Sequence, residues 1–129
     1  MYEQDRAHIA VLEVDRERAV GAPMTVLERP YHLSYPFVFA WQGCHYLVPE
    51  TGANGTVELY RCLSFPDKWE LQTVLLEAEN PRDATLVEAH GKWWMFVNLA
   101  STQVWLSSLY CRSPVIIANL PPPPHRCSQ

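Results

Sequence analysis

Several features that mark common functional classes are missing from this sequence. Among its 129 residues, 10 Lys and Arg stand against 14 Asp and Glu, which gives a net charge of −4. A protein that binds nucleic acid needs a basic face for the phosphates, so we expect no nucleic-acid partner. No run of about 18 apolar residues occurs, so we expect no association with a membrane. Residues 1–10 lack the apolar core of a signal peptide, and this absence predicts a cytoplasmic location.

Metal-site and redox motifs are missing as well. The 5 histidines form no HExxH pattern and the 4 cysteines form no CxxC pair. We therefore expect no metal ion and no other cofactor. Without a secretion signal, we also expect the cysteines to be free thiols. These cysteines are Cys44, Cys62, Cys111 and Cys127.

An internal repeat is present instead, and its two copies are offset by 48 residues. The segment from Tyr35 to Glu50 aligns with the segment from Asp83 to Asn98, and Gly43 falls on Gly91. Each segment has the pattern of two β-strands joined by a two-residue turn. The second turn residue is Gly, which supplies the positive φ that tight hairpins require. Each copy is therefore predicted to contain a β-hairpin.

Two further strands are predicted after the first hairpin, at residues 56–62 and 69–76. Four antiparallel strands in about 48 residues, repeated, are typical of a propeller blade. The sequence thus predicts an all-β fold of antiparallel four-stranded β-meander blades, a partial β-propeller of about two blades. A plain antiparallel sandwich with an accidental repeat is the alternative.

The domain boundaries follow from the same pattern. We expect a single β domain over residues 1–120, with blade-like repeats near 31–78 and 83–120. Residues 8–14 and 24–27 are predicted to be outer strands of a preceding blade, and residues 103–110 and 115–120 to be strands after the second hairpin. Residues 121–129 are predicted to be a disordered Pro-rich tail, because proline cannot donate to a sheet.

The length of the chain predicts self-association. A propeller closes with about four to eight blades, so a chain of about two and a half blades leaves faces and edges uncovered. We therefore expect a homo-oligomer, and a dimer is the simplest closed arrangement. A truncated copy of a longer gene would explain the missing blades.

Hairpin register places several polar side chains at one rim. The turn at Gln42-Gly43 puts Tyr35 opposite Glu50, and the turn at His90-Gly91 puts Asp83 opposite Asn98. Carboxylate, amide and aromatic groups together suit a hydroxyl-rich ligand, so a glycan partner is expected there. Two more polar residues precede the rim, namely His32 and Ser34. A purely structural role is the alternative for Asp83, which follows a proline, and for Glu50, which precedes a loop.

Longer stretches of the chain resemble a known family. The segments that carry the resemblance are residues 32–39, 48–51, 58–62, 65–71, 83–88 and 91–96. Together, over about Met24 to Ala100, they look like the glycoside hydrolase family 43-like five-bladed propellers. Such domains are also found attached to formyltransferase-like and glycosyltransferase-like domains.

The resemblance implies inward-facing carboxylates that act on a glycosidic bond. Asp83 matches one such position, and Glu50 is the second candidate catalytic residue. The remaining rim residues, His32, Ser34, Tyr35 and Asn98, would bind ligand. The hydrolases usually carry Asp where this chain has residues 32–35, and the third carboxylate is missing, so the isolated chain is not expected to be a complete enzyme.

Three functions follow from this interpretation. The first is a truncated carbohydrate-active propeller module that binds a glycan without catalysis. The second is an oligomeric structural or interaction protein that uses exposed blade faces. The third is a glycoside hydrolase that is active only as an assembled oligomer, and it requires two carboxylates that face each other across one cavity.

Overall fold

The structure is a computed structural model in which residues 6–99 and the backbone of 115–120 are described. It is all-β and antiparallel, with a single short 3₁₀ turn at Gly52–Asn54 in that part of the chain. The strands are β1 (Ile9–Val14), β2 (Ala19–Leu27), β3 (Ser34–Trp41), β4 (Cys44–Thr51), β5 (Thr56–Ser64), β6 (Lys68–Glu77), β7 (Arg82–Ala89), β8 (Lys92–Asn98) and β9 (Val115–Leu120). No helix within the described ranges is long and apolar enough to cross a membrane.

The strands form three antiparallel sheets with neighbours in chain order. These are the two-stranded sheet β1–β2, the four-stranded sheet β3–β6 and the three-stranded sheet β7–β9. The predicted strands at 56–62, 69–76 and 115–120 are therefore confirmed. The other strand predicted for the second repeat, at residues 103–110, and the tail at 121–129 lie outside the described residues.

The two hairpin turns form where the sequence predicts them. Gln42 and Gly43 have φ values of 48° and 79°, and His90 and Gly91 have values of 54° and 72°. Positive φ at both central residues defines the type of turn whose twist matches that of the adjoining strands. Trp41 consequently pairs with Cys44, and Ala89 with Lys92.

The predicted register is wrong by one residue at the far end of both hairpins. Glu50 pairs with Ser34 rather than with Tyr35, and Asn98 pairs with Arg82 rather than with Asp83. In each case one extra residue bulges from the first strand, between Ser34 and Phe37 or between Arg82 and Thr85. The bulge shifts the pairing because two residues then oppose one across the ladder.

Two apolar clusters lie on opposite faces of the four-stranded sheet. One face packs against β7–β8 through residues that include Tyr46, Val48, Leu86 and Met95. The other face packs against the β1–β2 hairpin through Ile9, Leu27, Leu33, Leu47 and Tyr60. The central sheet is thus covered on both sides, which explains why β4 reads as an almost continuous apolar run.

The cysteines differ from the sequence-based expectation. Cys44 is disulfide-bonded, so the expectation of a free thiol is wrong for this residue. Cys62 is free and buried, and burial raises the pKa of its thiol. Its thiolate is therefore disfavoured, and this residue is unsuited to a role as a nucleophile.

Gly52 fixes the link between β6 and β7 against the end of β4. A Cβ atom at this position would lie 2.7 Å from the Asn80 side-chain amide and 2.7 Å from the Pro81 carbonyl oxygen. We expect Gly52→Ala to lower the free energy of unfolding by about 2 kcal/mol, because the backbone of the link must move. Chemical denaturation measures the change. Ala53→Ser, at an exposed neighbouring residue, is the control, and it should change the free energy of unfolding by less than about 0.5 kcal/mol. Equal losses of stability from the two changes would contradict this account.

Candidate functional site

Three of the predicted rim residues meet at the junction of two sheets. Glu50 comes from the end of β4, Asp83 from the start of β7 and Asn98 from the end of β8. The backbone N–H of Asp83 donates to Glu50 Oε2 at 3.4 Å, and Asn98 Nδ2 donates to Asp83 Oδ2 at 3.0 Å. We call Glu50, Asp83 and Asn98 the rim triad.

The backbone at the rim is unusual in both repeats. Tyr35 has φ of 41° and Asp83 has φ of 54°, and both occupy the bulge at the start of the first strand of a hairpin. A side chain other than Gly is disfavoured in this region, and such conformations occur often at functional sites. The bulge moves Asp83 out of the ladder and leaves both its backbone N–H and its carboxylate at the rim.

The other predicted rim residues have different surroundings. Tyr35 is 64% exposed. Ser34 pairs with Glu50 in the ladder of β3 and β4. His32 Nδ1 accepts a hydrogen bond of 3.2 Å from the Ala7 backbone and holds the segment that precedes β1. The structure therefore brings together Glu50, Asp83 and Asn98, and it gives His32 a contact elsewhere.

A buried carboxylate lies on the opposite face of the central sheet and was missed by the sequence analysis. Glu58 is 3% exposed, and it accepts hydrogen bonds from three hydroxyl groups. Tyr31 Oη lies 2.6 Å from one carboxylate oxygen, Thr56 Oγ1 lies 2.9 Å from the other, and Tyr60 Oη lies 3.2 Å from the first. We call Glu58, Tyr31, Thr56 and Tyr60 the Glu58 cluster.

Hydrogen bonds from Tyr31 and Arg29 connect the Glu58 cluster to the link between β2 and β3. Burial of the Tyr31 phenol, followed by its hydrogen bond to Glu58, raises the pKa of Tyr31 well above its ordinary value. Arg29 Nε donates to Tyr60 Oη at 3.0 Å, and this bond raises the pKa of the guanidinium. The alternation of Thr56, Glu58 and Tyr60 along β5 was a usable signal, since it places three polar groups on one buried face.

A separate apolar groove lies away from the rim. It has a volume of about 620 Å³ and runs between the β1–β2 hairpin and the turn before β6. Its lining includes Val11, Leu12, Val20, Met24 and Phe65. In the described part of the chain, no group of His, Cys, Asp and Glu side chains is arranged to hold a metal ion.

Comparison with known proteins identifies relatives of a different kind from the family expected. Residues 6–113 match the family model described as "Glucosamine inositolphosphorylceramide transferase 1, N-terminal". Over 72 residues the chain is 39% identical to a glucosamine inositolphosphorylceramide transferase 1 of Oryza sativa subsp. japonica, which covers 56% of this chain and 10% of the relative. The protein of the same name from Arabidopsis thaliana is 39% identical over 69 residues, 54% of this chain and 9% of the relative.

The chain therefore spans about one tenth of the length of the curated relatives it matches. No solved structure matches.

These matches correct the sequence-based interpretation. The resemblance to glycoside hydrolase family 43-like propellers is wrong, and so are the three functions drawn from it. The resemblance rested on the segments 32–39, 48–51, 58–62, 65–71, 83–88 and 91–96, and all of them lie within the residues that match the transferase family. The strand, turn and aromatic residues in these segments are what antiparallel meanders require in general, so they recur in families with different chemistry.

Proposed function

The chain belongs to the family of glucosamine inositolphosphorylceramide transferase 1 N-terminal domains, and from this premise we propose that it is a β-sheet module of such a transferase. The observation that carries the proposal is the family match over residues 6–113, which includes every strand from β1 to β8. The named activity of the longer relatives joins glucosamine and inositolphosphorylceramide. On this proposal the module works in that transfer reaction together with further protein.

We propose the rim triad as the part of the module that contacts the glucosamine-bearing substrate. Glucosamine carries hydroxyl groups and an amine that is protonated in neutral water. Carboxylates and an amide match both kinds of group, because charged acceptors bind ammonium groups and an amide can donate as well as accept. The phosphate of inositolphosphorylceramide is a poorer match for two adjacent carboxylates, since like charges repel.

The arrangement of the sheets supports a propeller-like module, which we propose as the finer description of the fold. The two hairpins have the same type of turn and the same bulge, and the bulged residues Tyr35 and Asp83 are 48 residues apart. The first strand of the second repeat, β7, contacts β4 and β3 of the first repeat. The outer strands β2 and β6 are also in contact. Sheets that follow one another with such contacts are typical of consecutive blades.

A chimeric enzyme tests the proposed function. Residues 6–113 replace the matching segment of the Arabidopsis thaliana relative, and transfer of glucosamine is measured with varied concentrations of each substrate. We expect the chimera to be active and Asp83→Asn to lower kcat/KM for the glucosamine-bearing substrate about tenfold, the effect of one lost charge-assisted hydrogen bond. The KM for inositolphosphorylceramide should not change.

The control is Glu79→Gln, which removes an exposed carboxylate from the link before β7. It should leave both KM values unchanged. An inactive chimera would count against the module's part in the transfer reaction, provided that it folds. An active chimera in which Asp83→Asn and Glu79→Gln behave alike would contradict the role of the rim triad and leave the module assignment standing.

A further inference from the structure

Tyr35 has a backbone conformation that its own side chain disfavours. Its φ of 41° lies in the left-handed region, where a Cβ atom crowds the following carbonyl oxygen and only Gly fits without cost. The bulge at the start of β3 imposes this conformation. A glycine would form the same bulge with less strain, so the backbone gives no reason for a tyrosine at this position.

The Tyr35 side chain also contributes little to the packing of the fold. It is 64% exposed and belongs to neither apolar cluster. Among the described residues, none forms a hydrogen bond with its hydroxyl group and no other aromatic ring contacts its ring. Phe37, on the same strand, instead packs against the cluster between the repeats and contacts the Phe39 ring. The Tyr35 ring is therefore free to contact a ligand.

The internal repeat shows in which direction the Tyr35 side chain extends. Asp83 is its equivalent in the second repeat, with φ of 54° and the same bulge. The Asp83 carboxylate reaches the end of β8, where Asn98 donates to it, and Glu50 is the equivalent of Asn98 in the first repeat. Because the backbone geometry is shared, Tyr35 extends toward Glu50 at the end of β4. The ring therefore borders the rim triad, since Glu50 accepts from the Asp83 backbone.

We propose that the Tyr35 ring is a platform on which the pyranose ring of the glucosamine-bearing substrate stacks. This inference rests on the proposed function of the rim triad, which binds the amine and hydroxyl groups at the edge of the same sugar. The faces of a pyranose ring carry C–H groups with a slight positive charge, and they are attracted to the negative face of an aromatic ring. A lipid chain would match the aromatic ring alone, because it offers no polar group to the carboxylates.

A titration of the purified chain with methyl β-D-glucosaminide tests the platform. Nuclear magnetic resonance follows the titration and gives the Kd, and we expect saturable shifts that include the Tyr35 ring signals. Tyr35→Ala should raise the Kd about fivefold, the effect of one lost aromatic contact. Tyr35→Phe and Tyr35→Trp should stay within about twofold of the unmodified chain, because each keeps an aromatic face. Phe65→Ala is the control, since Phe65 is an aromatic residue that is 61% exposed in the turn before β6, and it should leave the Kd unchanged.

Tyr35→Gly separates binding from folding. Gly adopts a φ of this sign without strain, so the midpoint of urea denaturation should not fall. The Kd should nevertheless rise as it does for Tyr35→Ala, because the platform is gone. A clear fall of the midpoint would show that the side chain supports the fold, and the proposal would be overturned. Circular dichroism confirms that each variant is folded before its titration.

The same titration distinguishes failure of the platform from failure of the rim triad. If Asp83→Asn raises the Kd and Tyr35→Ala does not, the platform is wrong and the rim triad stands. If Tyr35→Ala raises the Kd and Asp83→Asn does not, the platform stands and the role of the rim triad is wrong. An unmodified chain that shows no saturation up to about 100 mM ligand would overturn the platform.

Discussion

Replacing Glu58 by leucine should lower the free energy of unfolding by about 3 kcal/mol, one of the two largest effects we expect of any single change in the described residues. The carboxylate is 3% exposed and accepts hydrogen bonds from Tyr31, Thr56 and Tyr60. Leucine keeps most of the volume and removes every acceptor. The hydroxyl groups then stay buried with too few partners, and their desolvation is no longer offset. Urea denaturation followed by fluorescence measures the change.

Glu77→Leu is the matched control for this experiment. Glu77 is an exposed carboxylate on β6 that faces Thr56 across the ladder. Its replacement should change stability by less than about 0.5 kcal/mol. Glu58→Gln should fall between the two leucine variants, since an amide oxygen still accepts hydrogen bonds but carries no charge. Stability losses of similar size for Glu58→Leu and Glu77→Leu would show that the cluster contributes little.

The cluster connects two parts of the chain that differ greatly in sequence position. Tyr31 belongs to the link between β2 and β3, whereas Glu58 and Tyr60 lie on β5. Arg29, from the same link, donates to Tyr60 and places its guanidinium 5.2 Å from the centre of that ring. Loss of the carboxylate therefore loosens the attachment of the β1–β2 hairpin to the central sheet.

Local patterns determined how far the sequence predicted the fold. The turns at Gln42-Gly43 and His90-Gly91 were predicted correctly because a two-residue turn with Gly second has one favoured geometry. The bulges at Tyr35 and Asp83 were not predicted. Neither residue is Gly, so the sequence gives no sign that their φ values are positive. The predicted strand pairing at the rim is therefore displaced by one residue from the observed pairing.

The candidate site was predicted in part for the same reason. Hairpin pairing placed Asp83 beside Asn98, and the repeat placed Glu50 on the same rim because equivalent ends of two adjacent blades lie side by side. The Glu58 cluster depends on a contact between residues 27 positions apart, Tyr31 and Glu58, which no repeat or hairpin rule predicts. The family was missed because the features that suggested a hydrolase propeller belong to antiparallel sheets and not to one chemistry.

The second large effect is expected at Met95, where the second repeat packs on the first. Its side chain is fully buried, with 0% exposure, in the cluster that joins β8 to β4 and β5. Met95→Ala should lower the free energy of unfolding by about 3 kcal/mol, because it removes apolar contacts and leaves a cavity that close-packed strands cannot fill. Chemical denaturation measures this loss, and near-ultraviolet circular dichroism reports on the aromatic side chains around it.

Met24→Ala is the control for Met95→Ala, since it deletes the same atoms from a side chain that is 46% exposed on β2. We expect it to cost less than about 1 kcal/mol. If instead Met95→Ala cost no more than the control, the second repeat would not depend on the first for its stability. The rim triad would then lose its rationale, because Glu50 and Asp83 come from different sheets and stay adjacent only while this interface holds.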